Sequence, residues 1–342
     1  MLTLKARVKR GVGWLALQPP FRLRTQRRLR DGINVVYTHY VGESVPYYAD
    51  FYVGSTIDRF DRDIAILKRH FDFVPLADLV RQEGAQRELS RPLLALTFDD
   101  GFDALRNGVL DVLYRYRVQA TNFVVTGMVG NKNLMWQHKL AAIRALRDES
   151  VYVAHFNGLM EKVGLSSISC GDALLPASLK WSMRLKEELV DALWRACDMP
   201  ALDEFLDEHR PYFTWSGLEQ WLGAGQFVGL HTFTHPLCSG LDAEQIRAEI
   251  EEPASQLRSR FGLRFLPFAY PFGVRLSRAA EQQLYDNGVF DCAFGIKGFA
   301  PRGTPGYRLE RISIERNFAY SIFGGAFLGS ATRFLRNRSR SS

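Results

Sequence analysis

The chain has 342 residues, 46% hydrophobic and 24% charged, a composition that excludes disordered, collagen-like and fibrous repeat classes. Its net charge of +7 is uneven: residues 1–30 hold nine basic side chains and no acid, and residues 331–342 add four arginines. The body between them is therefore acidic, which argues against a nucleic-acid partner, since such enzymes spread positive charge over the working face.

Four widely spaced cysteines (Cys170, Cys197, Cys238, Cys292) form no Cys-x-x-Cys pair. Neither a zinc ribbon nor a disulfide framework is indicated, and a reducing compartment follows. No apolar run approaches the ~18 residues of a spanning helix, and Val12 to Leu17 is too short and too interrupted for a secretory signal. Leu4, Val8, Val12 and Leu15 fall at helical spacing beside Lys5, Arg7, Lys9 and Arg10, the pattern of a helix lying on anionic lipid. Phe323, Phe327, Phe334 and Leu335 form a weaker stripe near the other end. The expectation is a cytoplasmic protein, peripheral on the inner membrane face through its basic ends; the plainer alternative is a pair of frayed tails.

From Ile33 onward, short apolar runs alternate with amphipathic stretches. Strands are predicted near 33–38, 93–98, 120–125, 226–231, 265–270, 289–294 and 309–314, with a further short one at 72–75. Helices are predicted near 57–69, 76–80, 103–116, 242–260 and 277–287. Strand followed by helix, repeated, implies a parallel sheet or barrel. Residues 130–212 break the rhythm and are too long for a βα connection, so they read as a helical insertion. Its Trp136, His138, Trp181, Trp194 and Tyr212 fit either a wall for a sugar or lipid, or simply a core.

Three strand ends carry chemistry. Leu93 to Phe98 stops at Asp99-Asp100-Gly101, where α/β enzymes build their sites. Adjacent residues on an extended chain point to opposite sides, so one acid suits a metal and the other a base; a helix cap and turn is the plainer reading. Gln226 to Leu230 ends in His231-Thr232-Phe233-Thr234-His235. Two histidines four apart can meet one metal ion if a third ligand comes from elsewhere, and Asp100 is the obvious candidate. Phe265 to Tyr270 runs into Pro271-Phe272-Gly273, a tight loop whose backbone N–H groups can face a site.

Together, Thr97-Phe98-Asp99-Asp100-Gly101, His231-Thr232-Phe233-Thr234-His235 and Tyr270-Pro271-Phe272-Gly273 resemble the first three motifs of the polysaccharide deacetylases, carbohydrate esterase family 4. Val35 to His39 resembles the family's opening strand, and the resemblance covers roughly 35–128 and 213–316.

It implies a deformed (β/α)7–8 barrel over 31–129 and 213–316; the 130–212 helical insertion, expected over its C-terminal mouth, and the basic tails at 1–30 and 317–342 lie outside the resemblance. Asp99 would be the catalytic base, and Asp100, His231 and His235 the ligands of a divalent metal, usually zinc. Tyr270, Pro271 and Phe272 would form the oxyanion and substrate loop, with Phe272 standing where the family has Tyr and contributing its backbone N–H. Thr232 and Thr234 would support the histidine loop through hydrogen bonds.

The implied reaction is metal-assisted hydrolysis of an N-acetyl group from an amino sugar of a bacterial surface glycan; the basic, amphipathic ends add the expectation of a lipid-linked precursor as substrate. The cation polarises the carbonyl and lowers the pKa of water, and Asp99 takes the proton. Two departures stand out. The family's Arg two residues before the motif-three Pro is Ala269 here, and no histidine follows His235 to act as general acid. The expectation is that Arg311 replaces the Arg and His39 protonates the leaving amine. Alternatives are a deformylase or other amide hydrolase, or a catalytically silent glycan-binding protein.

Overall fold

The computed structural model describes residues 15–16, 18, 21–49, 51, 54–81, 91–179, 181–301, 303–315 and 322–324, the side chains of 21–24 excepted. Among these, nine strands form the main sheet: β1 (Val35–Thr38), β2 (Asp72–Phe73), β3 (Leu93–Phe98), β4 (Ala120–Val124), β5 (Phe227–Leu230), β6 (Pro267–Ala269), β7 (Cys292–Gly295), β8 (Leu309–Glu310) and β9 (Ile312–Ser313). The spatial order is β8-β7-β6-β5-β4-β3-β1-β9, with β2 beside β3, and every pairing is parallel.

One extended segment nearly closes the barrel. Leu309 and Glu310 pair with Phe294 and Gly295 on one edge, while Ile312 and Ser313 pair with Val36 and Tyr37 on the other. The strand predicted at 309–314 is thus two strands, with Arg311 at the switch between edges.

Helices cover the outside, as parallel strands require. They are α1 (Phe21–Arg30), α2 (Ile57–His70), α3 (Leu76–Arg81) and α4 (Val109–Tyr116) before the insertion. The helix predicted over 103–116 is broken: Asp103–Arg106 is a 3₁₀ turn, and Gly108 at φ 76° separates it from α4. The 21–30 part of the basic N-terminal segment is a helix whose Thr25 and Leu29 are buried, and Asn34 Nδ2 donates to Leu29 O at 2.7 Å. Through these residues it packs on the barrel. Leu15 is exposed, whereas Leu4, Val8, Val12 and the lysines and arginines at 5–10 lie outside the described residues. Phe323, expected in a second lipid-facing stripe, is buried against the rings of His70 and Phe71. That assignment is corrected, because a ring packed in the protein core cannot also contact lipid. Phe327, Phe334 and Leu335 lie outside the described residues.

The 130–212 segment forms α5 (Trp136–Leu146), α6 (Glu149–Lys162), α7 (Leu174–Ser178), α8 (Met183–Ala196) and α9 (Leu202–His209). Its two ends meet: Asn131 Nδ2 donates to Tyr212 O at 3.0 Å, Tyr212 N donates to Asn131 Oδ1 at 2.9 Å, and Gly130 N donates to Phe213 O at 2.8 Å. It has its own apolar core, which reaches Tyr40, Tyr48, Phe102 and Phe272 on the loops above the strands. Trp136, His138, Trp194 and Tyr212 are buried in it, so these aromatic residues are core; Trp181 is partly exposed. No helix among the described residues is long and apolar enough to cross a membrane.

After the insertion come α10 (Trp215–Gly223), α11 (Ala243–Ile246), α12 (Glu252–Phe261) and α13 (Arg278–Asp286), with a π-helical turn, Arg247–Glu251, joining α11 to α12.

Candidate active site

Alternation along β3 sorts its side chains with a period of two. Leu94, Leu96 and Phe98 lie in the core beneath the helices, and Leu93 and Ala95 lie in the barrel interior, so Thr97 and Asp99 face inward. Both meet Arg311, which is fully buried. Its Nη1 donates to Asp99 Oδ1 at 2.6 Å and to Thr97 Oγ1 at 3.1 Å, and its Nη2 donates to Asp99 Oδ2 at 2.9 Å. The guanidinium also lies 4.7 Å from the Tyr37 ring centroid and 4.9 Å from that of Phe123. This two-pronged, stacked geometry is what arginine does and lysine cannot. Burial pushes the Asp99 carboxyl up, yet Arg311 and then His231 outweigh it, and the net effect holds the group below the usual carboxylate range. Ala269, where the family's Arg was missing, lies in the same barrel interior.

Asp100 leaves the strand's alternation because the chain turns left-handed there, with φ of 73° at Asp100 and 71° at Gly101. Its carboxylate meets the loop after β5: Oδ1 is 3.6 Å from His231 Nε2 and 3.5 Å from His235 Nε2. One donor atom from each of the three residues lies within 4.8 Å of the others, and all three residues are buried.

The donor chemistry fits a divalent cation. His231 Nδ1 sits 2.7 Å from Ala269 O, an acceptor only, so Nδ1 carries the proton and Nε2 keeps its lone pair. Burial lowers the pKa of both imidazoles, which keeps them neutral. Two nitrogen lone pairs turned toward one carboxylate oxygen repel unless a positive charge lies between them, and this N,N,O set suits zinc or a similar ion.

The histidine loop is held from three sides. Thr232 and His235 both adopt positive φ, 69° each, and His235 N donates to Thr232 Oγ1 at 3.0 Å. Glu249, in the π-helical turn, accepts from Phe233 N at 3.0 Å, from Thr234 N at 2.8 Å and from the Thr234 hydroxyl. Gln137 of α5 places its amide nitrogen 2.9 Å from His235 Nδ1; amide O and N are interchangeable by a flip, and the flipped amide accepts from Nδ1–H and leaves Nε2 for a metal. Asp100, Thr232, His235 and Phe272 are four of the eight non-glycine residues with positive φ among those described. Backbone strain of this kind clusters at functional sites.

His39 follows β1. Its backbone N donates to Glu315 Oε1 at 2.9 Å, its Nδ1 lies 2.6 Å from the same oxygen, and its Nε2 is 4.0 Å from Asp99 Oδ2. Burial pulls the imidazole down, but Glu315, with smaller help from Asp100 and Asp99, pushes it up to about 9.

Phe272 has φ 55° in the turn Pro271–Gly273, and its ring packs 4.9 Å from that of His235 and 6.1 Å from that of Trp136. Pro271 is buried in the same turn. Tyr270 is a correction: its phenol points away from the barrel interior. Parity along β6 puts Ala269 inward and Phe268 and Tyr270 in the outer core, with Tyr270 4.7 Å from Phe268 and beneath Arg275. Its side chain cannot touch a substrate in the barrel mouth.

Gln137, Glu249 and Glu315 were not foreseen from the sequence. Glu315 had a usable signal, since it follows a strand as Asp99 and His231 do; the other two lie in helices that read as ordinary surface or core.

The sequence profile of the polysaccharide deacetylase family matches residues 86–161 and 184–289, more than half of the chain. No curated protein is significantly similar in sequence. The fold is similar to that of the Streptococcus pyogenes deacetylase PplD, solved with acetate, at 15% identity and a TM-score of 0.54 over 85% of this chain and 96% of that one. It is also similar to IcaB from Ammonifex degensii (17% identity, TM-score 0.50, covering 85% and 97%) and to the deacetylase domain of BpsB from Bordetella bronchiseptica (13%, 0.51, 83% and 96%). With over half its length matched and the barrel in common, the chain belongs to the polysaccharide deacetylase family, hydrolases that remove N-acyl groups from glycans by cleaving an amide bond.

Proposed function

We propose that the chain removes an N-acetyl group from an amino sugar of a bacterial surface polysaccharide or a lipid-linked glycan precursor, with zinc held by Asp100, His231 and His235. The observation that carries this reading is the approach of both imidazole Nε2 atoms to one Asp100 oxygen beside an Asp99 clamped by Arg311. A divalent cation bound there supplies Lewis acidity, polarising the amide carbonyl and easing ionisation of water. Asp99 takes the proton from the attacking water, and Arg311 keeps that carboxylate ionised and aimed. The Phe272 backbone N–H steadies the developing oxyanion. His39, protonated well above neutral pH through Glu315, gives its proton to the departing amine.

Metal analysis of the purified protein, combined with acetate release from a panel of N-acetylated glycans, tests the reading. Asp99→Asn should lower kcat by about 10²–10⁴-fold with metal content unchanged. Formate release in place of acetate would reassign the acyl group, and failure to release either would refute the function.

The basic N-terminal stretch supports a location at an anionic membrane surface on the cytoplasmic side. Flotation with anionic liposomes that is lost on deleting residues 1–14 is the expected result; flotation that ignores lipid charge contradicts it.

A further inference from the structure

Lys186 is a cation on the apolar face of a helix. In α8 it is buried together with Leu189, Val190, Leu193 and Trp194, and it is 1% exposed. Its ammonium lies 4.3 Å from the centroid of the Trp136 ring, and among the described residues no carboxylate lies within ion-pair distance of it. The neighbouring Lys139 shows the usual solution: equally buried, it pairs with Asp191 at 2.6 Å. Burial without such a partner pulls the Lys186 ammonium down to about 8. A buried, unpaired charge is costly to keep, which makes Lys186 poorly explained as packing.

What Lys186 borders is a cavity of about 330 Å³ between α8 and the loop after β5, walled by Trp181, Leu237 and Leu241 and by the polar side chains of Ser182, Ser239 and Gln245. That size falls in the range of small-molecule sites. The cavity adjoins the catalytic centre: Pro236 follows His235, and Trp136, against which Lys186 rests, packs on Phe272 and precedes Gln137, which touches His235. Glu249 also borders the cavity, with both carboxylate oxygens turned to the histidine loop, where they accept from Phe233 and Thr234, and burial pushes its carboxyl up, toward the neutral form. An aromatic ring, hydroxyl and amide groups in the wall and one cation without an ion-pair partner among the described residues suit a sugar that carries a negative charge.

We propose that this cavity is a subsite for an anionic oxyacid group, phosphate or carboxylate, on the glycan substrate, with Lys186 as its counter-ion and Trp181 against the attached sugar. That the anion belongs to the substrate rests on the deacetylase reading; that the cavity binds such an anion does not.

Calorimetric titration with three sugars that cannot be deacetylated separates the two: a hexosamine 1-phosphate, a hexosaminuronate and the neutral hexosamine. The wild type should bind one of the charged sugars at least tenfold more tightly than the neutral one, and the preferred charged sugar identifies the anion. Lys186→Met, close in volume, should abolish that preference and change neutral-sugar affinity less than twofold, whereas Lys186→Arg should retain it. Trp181→Ala should weaken binding of the charged sugar in a protein that keeps its cation, so the proposal stays testable if Lys186→Met does not fold. Equal affinity for all three sugars, or a preference that survives Lys186→Met, overturns it. Acetate release from the N-acetylated counterparts is measured alongside. No release from any of them, with the anion preference intact, refutes the deacetylase reading alone.

Discussion

Asp99 and Asp100 are neighbours in sequence and differ in everything that matters chemically. Asp99 continues the inward parity of β3 and is clamped by Arg311, while Asp100 turns left-handed and faces two imidazoles. Their separation was legible in the sequence as opposite-facing acids at a strand end; the turn that produces it was not. Replacing Arg311 by Met removes the two-pronged partner of the buried Asp99 carboxylate and leaves it with His39, 4.0 Å away, a loss of up to about 3–5 kcal/mol. Asp99 is held below its ordinary pKa by Arg311, so the pair stabilises the fold above the unfolded carboxylate pKa and loses that contribution as pH falls. Urea unfolding should therefore show the Arg311→Met deficit at pH 7 and a smaller one below about pH 3, under the ordinary carboxylate value. A deficit independent of pH would contradict the ion-pair account. His39 carries the opposite sign: raised to about 9 by Glu315 against the pull of burial, it stays protonated through neutral pH and loses its proton above about 9. The alkaline limb of kcat should lie there, and Glu315→Gln should move it down toward or below the ordinary histidine value. An alkaline limb that stays put would remove His39 from the proton transfer.

At the scale of elements, the histidine loop depends on helices whose roles periodicity does not reveal. Amphipathic spacing shows which face of a helix is apolar, but Gln137 sits among buried residues of α5 and Glu249 in a π-helical turn, and neither breaks a pattern in a way a reader could weigh. Gln137→Ala removes the partner of His235 Nδ1 and should weaken metal affinity about 10–100-fold, measured by competition with a chromophoric chelator. Unchanged affinity would mean that the loop holds its shape without α5. Gly229 shows the same dependence through packing. A Cβ there would come within 2.5 Å of the Phe123 ring and 3.0 Å of Pro267 O, and Phe123 is one of the rings over which Arg311 lies. Gly229→Ala should cost about 1–3 kcal/mol and lower kcat with metal content retained. A variant with full activity would show that Phe123 does not position Arg311. Parity also explains Tyr270, since the motif's order along the chain was readable but its alternate facing on a three-residue strand was easily overlooked.

At the scale of the molecule, strand–helix repetition made the barrel legible, because parallel strands need helices between them and those leave two alternating periods in the sequence. How the barrel closes was not legible: 309–314 reads as one apolar strand, whereas the chain switches edges at Arg311. That switch places Arg311 against Asp99, more than 200 residues earlier, in the interior where Ala269 leaves the family's usual arginine absent. The insertion returns to its starting point through Asn131 and Tyr212 and contributes Gln137 to the site, so it is part of the catalytic architecture as well as its cover. Its aromatic residues were read two ways because sequence spacing alone does not distinguish a core from a wall.

The most direct test is equilibrium dialysis with zinc on the wild type and on Asp100→Ala, His231→Ala and His235→Ala, with acetate release measured on the same samples. One ion per wild-type chain, activity lost on chelation and restored by zinc, and both binding and activity lost in all three variants are the predicted results. A wild-type chain that deacetylates without metal, or an Asp100→Ala variant that binds zinc as tightly as the wild type, would contradict the account.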